Sequence, residues 1–386
     1  MKMSEVLVEV FGKGRPSVAS RAPGRVNLIG EHTDYNEGYV LPMAIDSGID
    51  LAARPNARRE VRIHSVDYGQ TVAFSLDAPI AYDGEHAWSN YGRGVLWALA
   101  LEGVRLEGLD IAFRGDVPQG AGLSSSAALE VATAVAVKAL LGFSMEPARL
   151  ALLCQKAENE FVGLKCGIMD QFVSLMGQRD HALFLDCRSL EYRLIPLALG
   201  DHLIAICHSG VKHSLVASEY NRRRQQCGLG VEALRARFPN VHALRDATLP
   251  QLEECREAMA PEVHRRCRHV ISECDRVLES ASALREGQLA RFGALMTASH
   301  RSQRDDYEVS CPEVDLLVEL ALAVPGVLGA RITGGGFGGC TVNLVAHGAL
   351  EAFGENVLAQ YQRRTGITPR LFVSRAGPGA RMVEGG

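Results

Sequence analysis

No stretch of this sequence is apolar for long enough to span a membrane. The nearest approach, Ala127 to Leu141, is interrupted by Glu130 and Lys138 and falls short of the roughly 18 uninterrupted apolar residues a spanning helix needs. The opening MKMSEVLVEVFGKGRP lacks the apolar core and cleavage pattern of a secretion signal, so the expectation is a cytoplasmic protein with no membrane partner. Basic charge is also missing: 41 Lys and Arg against 45 Asp and Glu give a net charge of -4, which argues against a nucleic-acid partner. The one basic run, Arg222-Arg223-Arg224, reads as a solvated helix face. Ten cysteines are present without a CxxC pair, in a chain far too long for a disulfide-stapled scaffold, so they read as reduced thiols. His264, Cys267, His269 and Cys274 could be imagined as a zinc site. Yet Cys267 and Cys274 fall in register with Val263, Val270, Ile271, Val277, Leu278 and Ala281 on a helix-period stripe opened by Pro261 and closed near Gly287, and read as core residues.

What is present is an ordinary globular composition, 47% apolar and 22% charged over 386 residues. That length exceeds what one hydrophobic core supports, which predicts two domains. The first third reads as strands at Val18 to Arg21, Tyr39 to Met43, Ile49 to Ala53, Glu60 to Ser65 and Thr71 to Leu76, the last two joined through Tyr68-Gly69. Alternation at Leu109, Ile111 and Phe113 marks a strand running into a glycine-serine loop, followed by a helix buried on most sides that stops at Gly142. A second helix is expected over Pro147 to Phe161, then strands at Leu183 to Leu185 and His202 to Cys207. Ser214 to Gly293 reads as mostly helical, with no repeat or low-complexity tract. Strands at Ala330 to Thr333 and Thr341 to Val345, a helix at Ala349 to Arg364 and a strand at Arg370 to Ser374 complete the chain. Helix and sheet mixed without strict alternation predict an α+β fold. The expected boundary lies near residue 190, giving domains 1–190 and 191–386, with the last strand crossing back to the first domain.

Three segments carry chemistry. Between Arg21 and Leu41, one arginine, Arg25, precedes a crowd of polar residues, Glu31, His32, Thr33, Asp34, Tyr35 and Asn36. A surface that hydrogen-bonds a polyhydroxylated small molecule beside a phosphate needs that mix; a solvated hairpin tip explains the polarity but not the crowding of acid, imidazole and carboxamide between Gly30 and Gly38. In Gly120-Ala-Gly-Leu-Ser-Ser-Ser-Ala-Ala128 the glycines permit close backbone approach, and the following helix start offers unpaired N–H groups to an anion. The loop has no lysine before its serines, so it is not a Walker A motif, and lacks the third glycine of a dinucleotide fingerprint. Three hydroxyls there can reach phosphate oxygens or magnesium. Finally, Asp170 sits among Ile168, Met169, Phe172 and Val173, either as a helix cap or as a placed acid.

The Arg21 to Leu41 segment resembles, nearly residue for residue, the signature of galactokinases, members of the GHMP group of small-molecule kinases. GDVPQGAGLSSSAALEVA and RITGGGFGGCTVNLV are similar to the group's second and third motifs, and the likeness continues through Cys166 to Phe172 and Ser299 to Glu313. The resemblance implies two α+β domains with the active site in the cleft between them, and ATP-dependent phosphorylation of α-D-galactose at C1, which feeds galactose into sugar-nucleotide metabolism. It makes Asp170 the catalytic carboxylate and sets Arg25 against the transferred phosphate. Glu31, His32, Thr33, Asp34, Tyr220, Gly167 and Gly336 become sugar-binding positions, with the Gly334 to Gly339 loop closing over the site. Gly120, Ala121, Gly122, Leu123, Ser124, Ser125 and Ser126 would cradle the ATP phosphates, and Trp88 would stack on adenine. Ser126 and Glu158 would hold Mg2+; the choice of Glu158 over Glu160 rests on the resemblance alone, since Glu158 otherwise reads as an exposed helix residue. D-Galactose and ATP are the expected partners, with no obligatory protein partner. Related kinases for N-acetylgalactosamine or L-arabinose share much of this framework. A sugar-and-ATP sensor is the other rival, but such sensors tend to damage the serine loop or the catalytic pair, and Arg25, Ser124 to Ala128 and Asp170 are all present.

Overall fold

A computed structural model describes residues 2–118, 122–211 and 216–383. Helix α1 (Met3–Phe11) uses its Met3, Val6 and Leu7 spacing to dock on Ala19, Ala52 and Ala112 of the first sheet. Strand β1 (Val18–Asn27) continues six residues past the expected Arg21. Pro23 cannot donate to a sheet ladder, and the register with the neighbouring strand shifts between Pro23 and Arg25, so the strand survives by bulging. The bulge re-aims Arg25. After a short β2 (Tyr39–Val40), β3 (Pro42–Pro55) pairs antiparallel with β1. The hairpin of β4 (Glu60–Ser65) and β5 (Gln70–Ser75) turns where Gly69 adopts φ 61°, as the Tyr68-Gly69 pair suggested.

Helix α2 (Asn90–Leu101) leads into β6 (Leu109–Gly115), which enters the glycine-serine loop. Helix α3 (Ser125–Leu141) is alanine-rich and buried along most of its length, and it stops where Gly142 takes a left-handed φ of 69°. It packs on β1 and β3, each buried Val or Leu contributing roughly 1.5–3 kcal/mol. The helix expected to reach Phe161 divides: α4 (Pro147–Lys156) is α-helical, and Ala157–Val162 widens into a π turn. Such bulges re-aim side chains and are frequent at functional sites. Helix α5 (Met169–Met176) follows, then β7 (His181–Asp186), β8 (Tyr192–Pro196) and β9 (His202–His208).

The helical middle consists of α6 (Val216–Arg237), α7 (Leu249–Glu254), α8 (Pro261–Arg285), α9 (Leu289–Ser302) and α10 (Pro312–Leu322). Cys267 and Cys274 are buried on α8 as the stripe predicts, but Leu278 is exposed. His264 faces Glu253, while His269 bonds Ser302 and the Glu31 carbonyl. Arg223 departs from the solvated-face reading: it is buried, donating to the carbonyls of Tyr307 and Glu308. Strands β10 (Val327–Thr333) and β11 (Cys340–Ala346) precede α11 (Leu350–Phe353) and α12 (Ala359–Thr365), which flank a further π turn at Gly354–Leu358. Strand β12 (Arg370–Ser374) pairs with β9, and the two-residue β13 (Arg381–Met382) returns to β1.

The strands form three sheets, ordered β13-β1-β3-β6-β4-β5, β10-β11-β9-β12 and β2-β7-β8, antiparallel except where β4 lies beside β6. One core lies between the six-stranded sheet and α2, α3 and α4. Another joins Val26, Leu28 and Leu41 to Ile206, Val342 and Leu344, with Val277 and Phe292 from the helices. It clamps the end of β1 against the four-stranded sheet. Among the described residues no helix is long and apolar enough to cross a membrane.

Candidate active site

Where β1 leaves its bulge, Arg25 is buried and meets Asp170 side-on: Nε donates to one carboxylate oxygen at 2.7 Å and Nη2 to the other at 2.8 Å. A fork-to-fork pair of this kind fixes orientation as well as charge. Nη1 donates to the Gly122 carbonyl at 2.6 Å, and the Arg25 amide to that of Leu123 at 3.1 Å. Gly24 makes this approach possible, because a Cβ there would stand 2.5 Å from the Leu123 oxygen. The Ser124 hydroxyl also donates to Asp170. Burial opposes the charge of Arg25, but Asp170 and then Glu31 outweigh it and hold its pKa above the ordinary value. The cap reading of Asp170 fails, since Ile168 occupies the cap position and Asp170 lies inside the first turn of α5.

These groups floor a cavity of about 260 Å3. Glu31, His32, Asp34, Gly167 and Tyr220 line one end of it. Glu31 accepts from the Gly334 amide at 2.8 Å and faces Arg331 at 3.3 Å; burial raises its pKa, while Arg331 and Arg25 pull against that. His32 adopts φ 62°, a left-handed conformation unusual for a residue with a Cβ. Burial drives its pKa far down, helped by the neighbouring His269, Arg223 and Arg331, so the ring is neutral. Asp34 is pushed up to about 7 by burial and by Asp170. Its carboxylate occupies the space a Cβ on Gly167 would need. Two expected positions lie elsewhere. Thr33 closes the turn, donating to the carbonyls of Gly30 and Tyr39. Gly336 backs onto Val309, and within its loop Gly334 and Gly335 line the cavity instead.

At the other end stand Gly122, Leu123 and Ser124 to Ser126; Gly120 and Ala121 lie outside the described residues. Glu158 is 3% exposed, turned inward by the π turn, whereas Glu160 points out and pairs with Lys156. The exposed-residue reading of Glu158 is therefore corrected, and burial separates it from its neighbour. Glu158 bonds Ser126, Cys166 and the Gln171 amide, and burial, then Asp170, raise its pKa to about 7. Glu130, wholly buried on α3, shares the same Gln171 amide, and its Oε1 has no partner among the described residues. Two buried carboxylates beside Asp170 and a serine hydroxyl are a donor set that suits a hard divalent cation. Among the described residues no three His, Cys, Asp or Glu side chains converge on one point, so phosphate oxygens and water would complete any such coordination. Ser125 and Ser126 also border a second cavity of about 340 Å3, where Trp88 stacks on Tyr68 with centroids 5.8 Å apart.

Sequence reasoning missed four buried groups that hold this site. Arg331 supports Glu31, and Glu273 accepts from the amides of Gly30 and Glu31 at 2.9 and 3.3 Å. Glu130 and Gln171 support Glu158. Three of them left a signal: a carboxylate in register with the apolar stripe of α8, an arginine between Ala330 and Ile332 in a strand, and Glu130 interrupting an apolar helix.

Residues 6–55 match the model of the galactokinase galactose-binding signature, 90–178 that of the GHMP kinase N-terminal domain and 280–362 that of the GHMP kinase C-terminal domain. The chain is 47% identical over 368 residues to a galactokinase of Roseiflexus sp. (strain RS-1), covering 95% of this chain and 93% of that protein. It is 48% identical over 373 residues to a galactokinase of Chloroflexus aggregans, covering 97% and 95%. A crystal structure of Lactococcus lactis galactokinase complexed with galactose matches with a TM-score of 0.95 and 35% identity, over 98% of each chain. A mevalonate kinase structure, at 19% identity and a TM-score of 0.62, shares the fold alone.

Proposed function

The chain belongs to the galactokinases of the GHMP kinase family, and from that premise we propose how its own residues carry out ATP-dependent phosphorylation of galactose at the C1 hydroxyl. The observation that carries the reading is the Arg25–Asp170 fork, set between the carboxylate and imidazole cluster and the glycine-serine loop. Phosphoryl transfer asks little covalent work of a protein; it needs an oriented hydroxyl, an in-line phosphate and cancelled charge. Asp170 orients the sugar hydroxyl and takes its proton, and Arg25 holds that carboxylate in place through its two hydrogen bonds while facing the transferred phosphate. Glu31, His32, Asp34 and Tyr220 bind the sugar, with Glu31 braced by Arg331. Thr33 and Gly336 act on the sugar only through the backbone turns they hold.

The glycine-serine loop, including Gly120 and Ala121, cradles the phosphates at the start of α3, and the Trp88 cavity takes the adenine. Ser126 and Glu158 would hold Mg2+, with Glu130 and Gln171 behind them; bound there, the ion would offset the charge of the phosphates. The chain divides near residue 190 into two lobes, with the site between them. The protein works in the cytoplasm, a reading supported by ten cysteines that stand as free thiols. A coupled ADP-release assay across a panel of monosaccharides tests the substrate: galactose should exceed glucose by at least about 10,000-fold in kcat/KM, as expected where buried polar groups must all be matched. Comparable rates for the two sugars refute the assignment, and preference for N-acetylgalactosamine or L-arabinose moves it within the family.

A further inference from the structure

Behind His32 runs an unbroken line of hydrogen bonds that ends on a sulfur. The His32 Nδ1 lies 2.9 Å from the Tyr35 hydroxyl, that hydroxyl 2.8 Å from the Tyr307 hydroxyl, and that in turn 3.2 Å from Cys227 Sγ. Tyr307 is wholly buried, and its ring is packed between His32 and His269 at centroid distances of 4.7 and 4.6 Å. At the opposite end His32 Nε2, also buried, has no partner among the described residues, in a side chain that lines the sugar end of the cavity. Neutral imidazole has one N–H and one lone pair, and the partner of one nitrogen decides the role of the other.

Two observations give the line a direction. A phenol O–H is a good donor and its oxygen a poor acceptor, whereas a neutral imidazole lone pair is a good acceptor, so Tyr35 donates to Nδ1. Tyr35 then has only its oxygen left, which takes the Tyr307 hydroxyl, whose oxygen takes the Cys227 S–H. At the cavity end, Glu31, Asp34 and Asp170 face Arg25, the one cationic side chain of the lining among the described residues. That excess of carboxylate favours an N–H over a lone pair pointing inward. His269 needs no such arrangement, because its Nε2 meets the Glu31 carbonyl, which can only accept.

We propose that Cys227, Tyr307 and Tyr35 form a one-way hydrogen-bond relay that fixes His32 as the Nε2–H tautomer, making it a donor to a hydroxyl oxygen of the bound sugar. The three are positioning residues, acting on the substrate through His32, and the proposal rests on the sugar occupying this cavity. A buried donor left unpaired costs about 5- to 150-fold in affinity, so a sugar without an acceptor at that point is disfavoured. The relay thereby contributes to selection.

Long-range 1H–15N correlation spectra of the histidines in the full chain, with His32→Gln for assignment, test the relay without any sugar. The expected result is a protonated Nε2 and a lone pair on Nδ1 of His32. A protonated Nδ1 overturns the proposal, whatever sugar the enzyme prefers. Tyr35→Phe should mix the tautomers and raise KM for galactose about tenfold with kcat within about twofold, the loss of roughly one hydrogen bond. Across a series of deoxygalactoses, the analogue lacking the hydroxyl met by His32 should show no further loss in that variant. Tyr307→Phe should give the same pattern with a smaller change. Unchanged tautomer and KM in these variants also refute the relay; should Tyr35→Phe not fold, the wild-type spectrum and Tyr307→Phe decide.

Discussion

Replacing Asp170 by asparagine tests the centre of the mechanism, and the geometry sets its size. The carboxylate accepts three hydrogen bonds, from Arg25 Nε, Arg25 Nη2 and Ser124 Oγ. Asparagine has one acceptor oxygen: turned toward Nη2 and Ser124, it sets its own NH2 against the Nε–H. The structural cost is one charge-assisted bond lost and two donors face to face, about 1.5–3 kcal/mol of stability. The chemical cost is separate. Loss of general-base help is worth ~100- to 10,000-fold, or about 3–5 kcal/mol of barrier. Both are measurable on one preparation: thermal unfolding followed by circular dichroism for the first, and ADP release at saturating ATP and galactose, below the onset of unfolding, for the second. Calorimetry should still detect galactose. The expected variant has a lowered Tm and a kcat reduced at least ~100-fold. A folded variant with kcat within about a factor of ten of wild type would remove Asp170 from the proton transfer and leave it as the partner of a buried arginine.

The remaining tests address the loop, the cation and the base. Glu158→Gln should stabilise the nucleotide-free protein above pH 7: Glu158 has a folded pKa of about 7 against 4.5 unfolded, so its stability contribution, present below pH 4.5, is lost as pH rises from about 4.5 to 7. The upper limit is about 3 kcal/mol at pH 8, read as a Tm gain that vanishes near pH 4; a gain independent of pH would refute the assignment, and the variant should lose magnesium-dependent turnover. Binding of Mg2+ and ATP to wild type at pH 7 should release protons, seen as a heat that varies with the buffer's ionisation enthalpy. Gly24→Ala puts a Cβ 2.5 Å from the Leu123 oxygen and should cost about 1–3 kcal/mol while raising KM for ATP more than KM for galactose; equal effects would show that the loop and Arg25 move as one body. Trp88→Ala should raise KM for ATP several-fold with galactose affinity unchanged in calorimetry, and an unaltered KM for ATP would remove the Tyr68–Trp88 pair from the base site.

Periodicity and turn chemistry are local properties, and the elements resting on them were legible in the sequence. The strands of the first third, the buried α3 ending at Gly142, the cysteine-bearing stripe of α8 and the strand at Arg370 to Ser374 all follow from side-chain spacing over a few residues. Composition alone bounded the partners, and of the clustered polar residues between Gly30 and Gly38 the structure places Glu31, His32 and Asp34 on the cavity. What spacing could not convey is which distant groups share a point in space. Arg25 and Asp170 are 145 residues apart in the chain, and only the bulge at Pro23, the missing Cβ of Gly24 and the placement of α5 bring them to 2.7 Å. Glu158 and Glu160 are chemically equivalent in sequence, and a π turn buries one and leaves the other in water. Thr33 and Gly336 belong to the same motifs as true cavity residues, yet backbone direction turns them toward Gly30, Tyr39 and Val309. Arg331, Glu273 and the Tyr35–Tyr307–Cys227 line act through contacts between segments far apart in the chain. Burial and orientation are properties of the packed chain, set by long-range contacts that no local pattern encodes.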